Sequence, residues 1–356
     1  NVYVPYEQLA KVEIFNTKAA INIANNTTNI TSWDRESKDA VTTILDNKHN
    51  LNFIYTDSNY VYIQRLNENM GVRDTLKIQK RYPIYGDTIV DDDGNYYIAW
   101  GQNDTSPEST GKITFVISKY SNSGSYISSY EKTDSPKPVE KPPATGEQEE
   151  IRKEEPTKTI FANGTCNLDI NSKGIIAYNY AKETKAGLQC NSSGYIDSNT
   201  MKEAKDYKVY PYAAHSWATD VIALSNGDFA FLQQTDMQKR SYDVSLITQN
   251  VDKKYTEYNR QMFHFREGLA KQAGYYYTFS NYGSIEDLKT GVALIASSEK
   301  TLSLSPAGST ENESRNVFMQ ILKRDYLTGH VGEKLTADSF MTVGERKSTG
   351  TQKASN

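Results

Sequence analysis

The chain has 356 residues, of which 37% are hydrophobic, and it carries a formal charge of −4 at pH 7. It contains no run of about 18 apolar residues and no basic stripe, so we expect neither membrane insertion nor nucleic-acid binding. The length suits one large all-β domain or two smaller ones.

Short runs of β-branched and aromatic residues, closed by Asp, Asn and Gly, dominate the chain, and this pattern predicts strands. In chain order the clearest runs are Asn59 to Ile63, Tyr96 to Trp100, Ile113 to Ile117, Ile175 to Tyr180, Asp228 to Leu232 and Asn316 to Leu322. Only Ser37 to Leu45 and Tyr258 to Lys271 offer room for short helices, and neither has a sustained apolar face.

Two pieces of sequence recur. The first is a tight turn before a strand, with Gly where positive φ is needed, at Asp92 to Asn95, Asn171 to Gly174 and Ser225 to Asp228. The second is a strand, a polar turn and a return strand, at Val61 to Ile78, Phe115 to Glu131, Asp243 to Asn259 and Phe318 to Leu335. Such self-similarity predicts stacked β-hairpin units.

Alternating the two pieces gives four-stranded sheets of roughly 45 to 55 residues, which is the size of a propeller blade. We therefore predict an all-β fold, a β-propeller of about six or seven four-stranded blades. Two β-sandwich domains are the alternative.

The composition changes between residues 136 and 158, where Pro, Glu and Lys are concentrated and aromatic residues are missing. This segment predicts a disordered loop or linker. It separates a first group of blades, residues 1–135, from the remaining blades, residues 159–343. Residues 344–356 are predicted to form a flexible tail.

The unit DDDGNYYIAWG, with the later SKYSNSGSYI, resembles the degenerate blades of bacterial secreted or cell-surface β-propellers. The stretch Val90 to Tyr97 also partly resembles the Asp-box turn, with Asp92, Gly94 and Tyr97 in order, but it lacks the usual Ser or Thr and the final Trp. The resemblance implies a ring of blades with ligand-binding loops on one face, in a secreted or cell-surface protein.

Three consecutive carboxylates, Asp91, Asp92 and Asp93, are hard oxygen ligands in one turn and form a candidate calcium site. A solvated acidic turn is the competing interpretation. No other cofactor is predicted, because nucleotide-binding and histidine-based metal motifs are missing.

Two cysteines, Cys166 and Cys190, lie in one Asn-, Ser- and Gly-rich region without the spacing of a metal site. In an oxidising compartment they predict a local disulfide.

The best candidate for ligand binding is an aromatic cluster, Tyr212, His215 and Trp217. Aromatic faces here would stack on sugar rings, while His215 would fix orientation. Core packing between blades is the competing interpretation.

Because no catalytic constellation is recognisable, the sequence favours an extracellular, non-catalytic recognition module that binds a glycan or a cell-surface protein. A glycan-processing hydrolase or lyase with acidic residues at the propeller axis is the first alternative. A structural surface-layer or scaffold protein is the second.

If the aromatic cluster binds glycan, Trp217→Ala should weaken binding by about 1 to 3 kcal/mol and leave the fold intact. Calorimetric titration and thermal unfolding of the same variant measure both effects. A fall in melting temperature with unchanged affinity would assign Trp217 to core packing.

Overall fold

The computed structural model describes residues 41–105, 112–134, 157–184, 189–205, 207, 219–236, 242–250, 256–264, 280–288, 290–298, 316–325 and 340–347. Within them nearly all regular structure is β, as predicted. No helix there is long and apolar enough to cross a membrane.

The described strands form five antiparallel sheets, and each sheet uses strands that are consecutive in the chain. The first sheet contains β1 (Val41–Leu45), β2 (Leu51–Thr56), β3 (Tyr60–Leu66) and β4 (Val72–Gln79). The second contains β5 (Ile84–Val90), β6 (Tyr96–Gln102), β7 (Ile113–Tyr120) and β8 (Tyr126–Asp134). The third contains β9 (Thr157–Ile160), β10 (Cys166–Ile170), β11 (Ile175–Thr184), β12 (Gln189–Asp197) and β13 (Lys202–Glu203).

The fourth sheet contains β14 (Thr219–Ala223), β15 (Phe229–Asp236), β16 (Tyr242–Asn250) and β17 (Thr256–His264). The fifth contains β18 (Ser280–Leu288), β19 (Gly291–Ser298), β20 (Asn316–Lys323) and β21 (Phe340–Lys347). The third sheet is four-stranded in plan, because β9 and β10 pair with successive parts of β11, on either side of a short 3₁₀ turn at Ala162–Gly164.

The sheets are blades of a β-propeller, as the sequence predicted. The innermost strand of each sheet packs on the innermost strand of the next, so that β1 contacts β5, β5 contacts β10, β10 contacts β14 and β14 contacts β18. Apolar layers fill the spaces between the first and second, second and third, and third and fourth sheets. This serial packing differs from the face-to-face pairs of two β-sandwiches.

The described residues supply five blades. The total of about six or seven that the sequence predicts for the whole chain stays a prediction. In the fifth sheet, the return strand expected before Leu335 begins only at Phe340. Both predicted helical stretches contribute strands where they are described, β1 and β17.

The domain boundaries remain predictions. The linker predicted over 136–158 lies outside the described residues except for its last two positions, which begin β9. The predicted tail, 344–356, is described only to residue 347, where β21 ends.

The recurring turn has one geometry in four of the sheets. Its first N–H donates to the carbonyl of the fifth residue at 2.8–3.0 Å, and its fourth N–H donates back to the first carbonyl at 2.8–2.9 Å. The fourth residue has positive φ, which is 82° at Gly94, 75° at Gly174 and 90° at Gly227. The first sheet has the same turn, with His49 at φ 61° in the fourth position. The sequence pattern did not predict this turn, because the pattern requires Gly there.

The second and third sheets interlock through an aromatic ring that fills the space above two glycines. A Cβ on Gly101 would lie 2.8 Å from a ring carbon of Phe161, and one on Gly86 would lie 2.9 Å from the same carbon. Phe161 is fully buried and meets Phe115 and Tyr180 edge-on, with ring centroids 6.1 and 5.6 Å apart. Glycine at these two positions therefore lets the sheets approach.

We expect Gly101→Ala to destabilise the protein by about 1 to 3 kcal/mol, because the added methyl group overpacks a rigid aromatic layer. Gly71→Ala is the control, since its Cβ would meet only side-chain atoms of Asn67, at 3.3 Å, rather than a buried aromatic layer. Urea unfolding of both variants checks the difference, and equal losses would contradict the interlock.

Candidate functional site

Side-chain oxygens connect the innermost strands of successive sheets. The Asp87 carboxylate of β5 accepts the Leu168 N–H of β10 at 2.9 Å, and the Asp169 carboxylate of β10 accepts the Ala223 N–H of the next sheet at 2.5 Å. Asp287 of β18 accepts the Ser225 N–H at 2.7 Å. These bonds fix the spacing of the strands around the axis.

Amide side chains make similar connections between neighbouring turns. Asn47 donates to the carbonyl of Asp92 at 2.8 Å, joining the first sheet to the second. Asn171 donates to the carbonyl of Gly227 at 2.8 Å, joining the third to the fourth. These two hydrogen bonds fix the positions of the joined turns relative to one another.

A cleft of about 800 Å³ opens at the end of the propeller that carries these turns. All five sheets contribute to its lining, with His49 from the first, Asp92 and Asp93 from the second, Lys173 from the third, Ser225 from the fourth and Asp287 from the fifth. Its described lining contains carboxylate, hydroxyl, amide, ammonium and imidazole groups, but no Phe, Tyr or Trp ring.

The charged groups of the cleft differ in whether they are paired within the protein or exposed to solvent. Asp287 pairs with Arg324, and the Lys119 ammonium donates to the Ser198 carbonyl at 3.2 Å. Asp92 and Asp93 are exposed. These two carboxylates are therefore the acidic groups most accessible to a ligand.

The turn that carries the predicted calcium site is closed by hydrogen bonds to one of its own carboxylates. The Asp91 carboxylate accepts the N–H groups of Asp93 and Asn95 at 3.0 and 2.8 Å and the Tyr97 hydroxyl at 2.8 Å. It holds the turn closed. Among the described residues, no three His, Cys, Asp or Glu side chains converge to hold a metal, so calcium binding by Asp91, Asp92 and Asp93 stays a prediction.

The aromatic cluster lies outside the described residues. Tyr212, His215 and Trp217 precede β14, which begins at Thr219 rather than near Ala213. Their predicted role in glycan binding stays a prediction.

The disulfide also stays a prediction, and the strand register does not favour it. Buried Cys166 pairs with Tyr180 across β10 and β11, whereas Cys190 pairs with Lys182 across β11 and β12. The cysteines thus lie on either side of β11, about two strand spacings or 9.5 Å apart across the sheet and offset by a further two residues along it. A disulfide requires Cα atoms within about 7 Å.

Sequence reasoning missed Asp169, which lies directly beneath the cleft. Its carboxylate accepts the N–H groups of Ile170 and Ala223, and both of these residues line the cleft. Burial raises the pKa of Asp169 to about 6 against the pull of these two N–H groups, and the charges of Asp87 and Glu286 raise it further. Only the fold brings carboxylates from three sheets together.

No family model and no curated protein matches this chain. Among solved structures, it is similar to an α-L-arabinanase from Penicillium chrysogenum complexed with arabinobiose, at 12% identity and a TM-score of 0.36, over 76% of this chain and 71% of that one. It is also similar to a lignostilbene dioxygenase from Pseudomonas brassicacearum, at 8% identity and a TM-score of 0.38, over 78% of this chain and 60% of that one. Similarities this distant assign no activity.

The raised pKa of Asp169 gives a pH-dependent stability. The folded protein holds this proton more tightly than the unfolded chain, so the contribution is complete below about pH 4 and is lost as pH rises through about 6. We expect a loss of about 2 kcal/mol across this window, allowing for partial exposure of the side chain.

Asp169→Asn should remove this dependence of the free energy of unfolding on pH, whatever its effect on stability at a single pH. The control is Glu68→Gln, which changes an exposed carboxylate in the β3–β4 turn. Urea unfolding at pH 4, 5, 6 and 7 measures the slope, and an unchanged slope in Asp169→Asn would show that another group titrates.

Proposed function

We propose that this propeller is a recognition module that binds a glycan in the cleft at the turn end. The observation that carries the proposal is the shared lining, in which the turns of four sheets and Asp287 of the fifth place polar groups around one cavity. Sugar hydroxyls donate and accept hydrogen bonds, so they suit mixed carboxylate, amide and hydroxyl partners. The volume lies within the usual range for ligand pockets.

The rigidity of the turns supports this proposal. Each turn is closed by backbone hydrogen bonds, and amide side chains tie neighbouring turns together. Binding groups held in place before the ligand arrives lose little conformational entropy when they bind it. The cleft thus has the preorganisation that a recognition site needs when aromatic stacking is not its main source of affinity.

The proposal places the chain outside the cell, secreted or at the cell surface, as its resemblance to surface propellers implies. A cell-surface protein is the other class of ligand that the sequence predicts. The structural-scaffold alternative requires a large exposed apolar patch. In the described residues the large exposed apolar side chains, Leu45, Val72, Tyr126 and Ile127, are spread over β1, β4 and β8.

A glycan-processing enzyme is the second candidate, and Asp169 is the observation that favours it. A carboxyl group with a pKa of about 6 can donate a proton near neutral pH, and Asp87 and Glu286 are carboxylates from other sheets that act on it. Glycoside hydrolysis commonly uses such a pair. We place binding first because both oxygens of Asp169 already accept backbone N–H groups that hold the fold.

A glycan array identifies a ligand, and calorimetry then compares the wild type with the double variant Asp92→Asn, Asp93→Asn. We expect about a tenfold rise in Kd, since two charge-assisted hydrogen bonds become neutral ones, at an unchanged melting temperature. Glu203→Gln, an exposed carboxylate of β13 outside the cleft, is the matched control.

Unchanged affinity in the double variant would move the site away from the cleft, and an array without any bound glycan would reject glycan recognition. The same glycans incubated with wild type and Asp169→Asn test the enzyme. Cleavage by the wild type that is lost in Asp169→Asn would replace recognition by hydrolysis.

A further inference from the structure

The space between the third and fourth sheets is divided into an apolar half and a polar half. Ala177 and Tyr195 of the third sheet pack on Val221, Phe229 and Phe231 of the fourth, and these residues form the apolar half. They lie toward the turn end of the propeller.

Strand alternation places a group of polar residues on the same face, farther from the turns. On β11, Asn179 follows Ala177 by two positions, and on β12, Asn191 and Ser193 precede Tyr195 by four and two. Asn179 pairs with Asn167 on one side and with Ser193 on the other. Asn167 donates to the Thr219 carbonyl of β14 at 2.5 Å, which confirms that this face meets the fourth sheet.

Two amide side chains of this face are unsatisfied by the protein. Asn179 is 0% exposed, and in the described part of the chain neither its Oδ1 nor its Nδ2 has a hydrogen-bond partner. The Oδ1 and Nδ2 atoms of Asn191 are likewise buried and unpaired there. Buried polar atoms without partners are costly, and native proteins satisfy nearly all of them.

The residues next to these amides have small side chains. Ala181 lies two positions beyond Asn179 on β11 and pairs directly with Asn191. It contacts Ala162, and each of these two alanines has only a methyl group as its side chain. An occupant must offer both a donor and an acceptor, because each amide presents both. Water has this chemistry and is small enough for a closed space between two sheets.

We propose that the polar half of the space between the third and fourth sheets is a binding site for ordered water, built on Asn179 and Asn191. The water bridges the two amide groups and relieves their desolvation. A glycan hydroxyl has the same hydrogen-bonding chemistry. Because Asn179 is fully buried, a saccharide would reach it only if the sheets separated.

A crystal structure of the full chain without glycan, at about 2 Å or better, tests the site directly. We expect a water oxygen within about 3.2 Å of Asn179 Nδ2 or Oδ1. Asn171 is the internal control, because its amide is satisfied by protein groups, donating to the Gly227 carbonyl and accepting the Lys173 and Ile175 N–H groups. A structure in which protein atoms alone satisfy Asn179, or in which only added glycan fills the site, would overturn the proposal.

Thermal unfolding of Asn179→Leu gives a second measurement. If water satisfies the amide, the substitution removes the hydrogen bonds between Asn179 and this water, and we expect the Tm to fall by about 2 °C or more. If the amide is unsatisfied, the apolar side chain raises the Tm instead, which would contradict the site. Asn171→Leu shows the loss expected for an amide with protein partners, and glycan affinity of Asn179→Leu should equal that of the wild type.

Discussion

The architecture depends on polar side chains that connect the backbones of successive inner strands. Backbone hydrogen bonds within a sheet cannot hold it to its neighbour, and apolar layers between sheets are not directional. The bonds from Asp87 to Leu168, from Asp169 to Ala223 and from Asp287 to Ser225 are directional, so they set the height of each strand relative to the next. That height in turn decides which turn residues meet at the cleft.

The connecting carboxylates have a second effect, because they bring negative charge to the axis. Asp87 and Glu286 raise the pKa of Asp169, which is already raised by burial. A neutral amide at this position could also accept a hydrogen bond, without the cost of burying a charge. A buried carboxylate with a strongly shifted pKa is typical of functional sites. The same strands therefore link the mechanical frame of the propeller to the chemistry beneath its cleft.

Local patterns in the sequence predicted the blades well, because turn chemistry and strand alternation are encoded over a few residues. Gly94, Gly174 and Gly227 marked three turns, while the equivalent turn at His49 escaped because its left-handed residue is not glycine. The cleft and the role of Asp169 were not predictable in this way. They arise from residues tens of positions apart, and their alignment is set by packing between sheets rather than by any motif.

The use of consecutive strands in every sheet has a consequence for how the chain reaches its fold. Among the described strands, no sheet takes a strand from the far end of the chain, so each of these sheets can complete its pairing as soon as its own residues have left the ribosome. Pairing between segments that are neighbours in sequence costs less loop-closure entropy than pairing between distant segments, and it favours rapid folding. Each finished sheet then offers an ordered inner strand on which the next one can assemble, so that the propeller can grow vectorially from its first blade to its last.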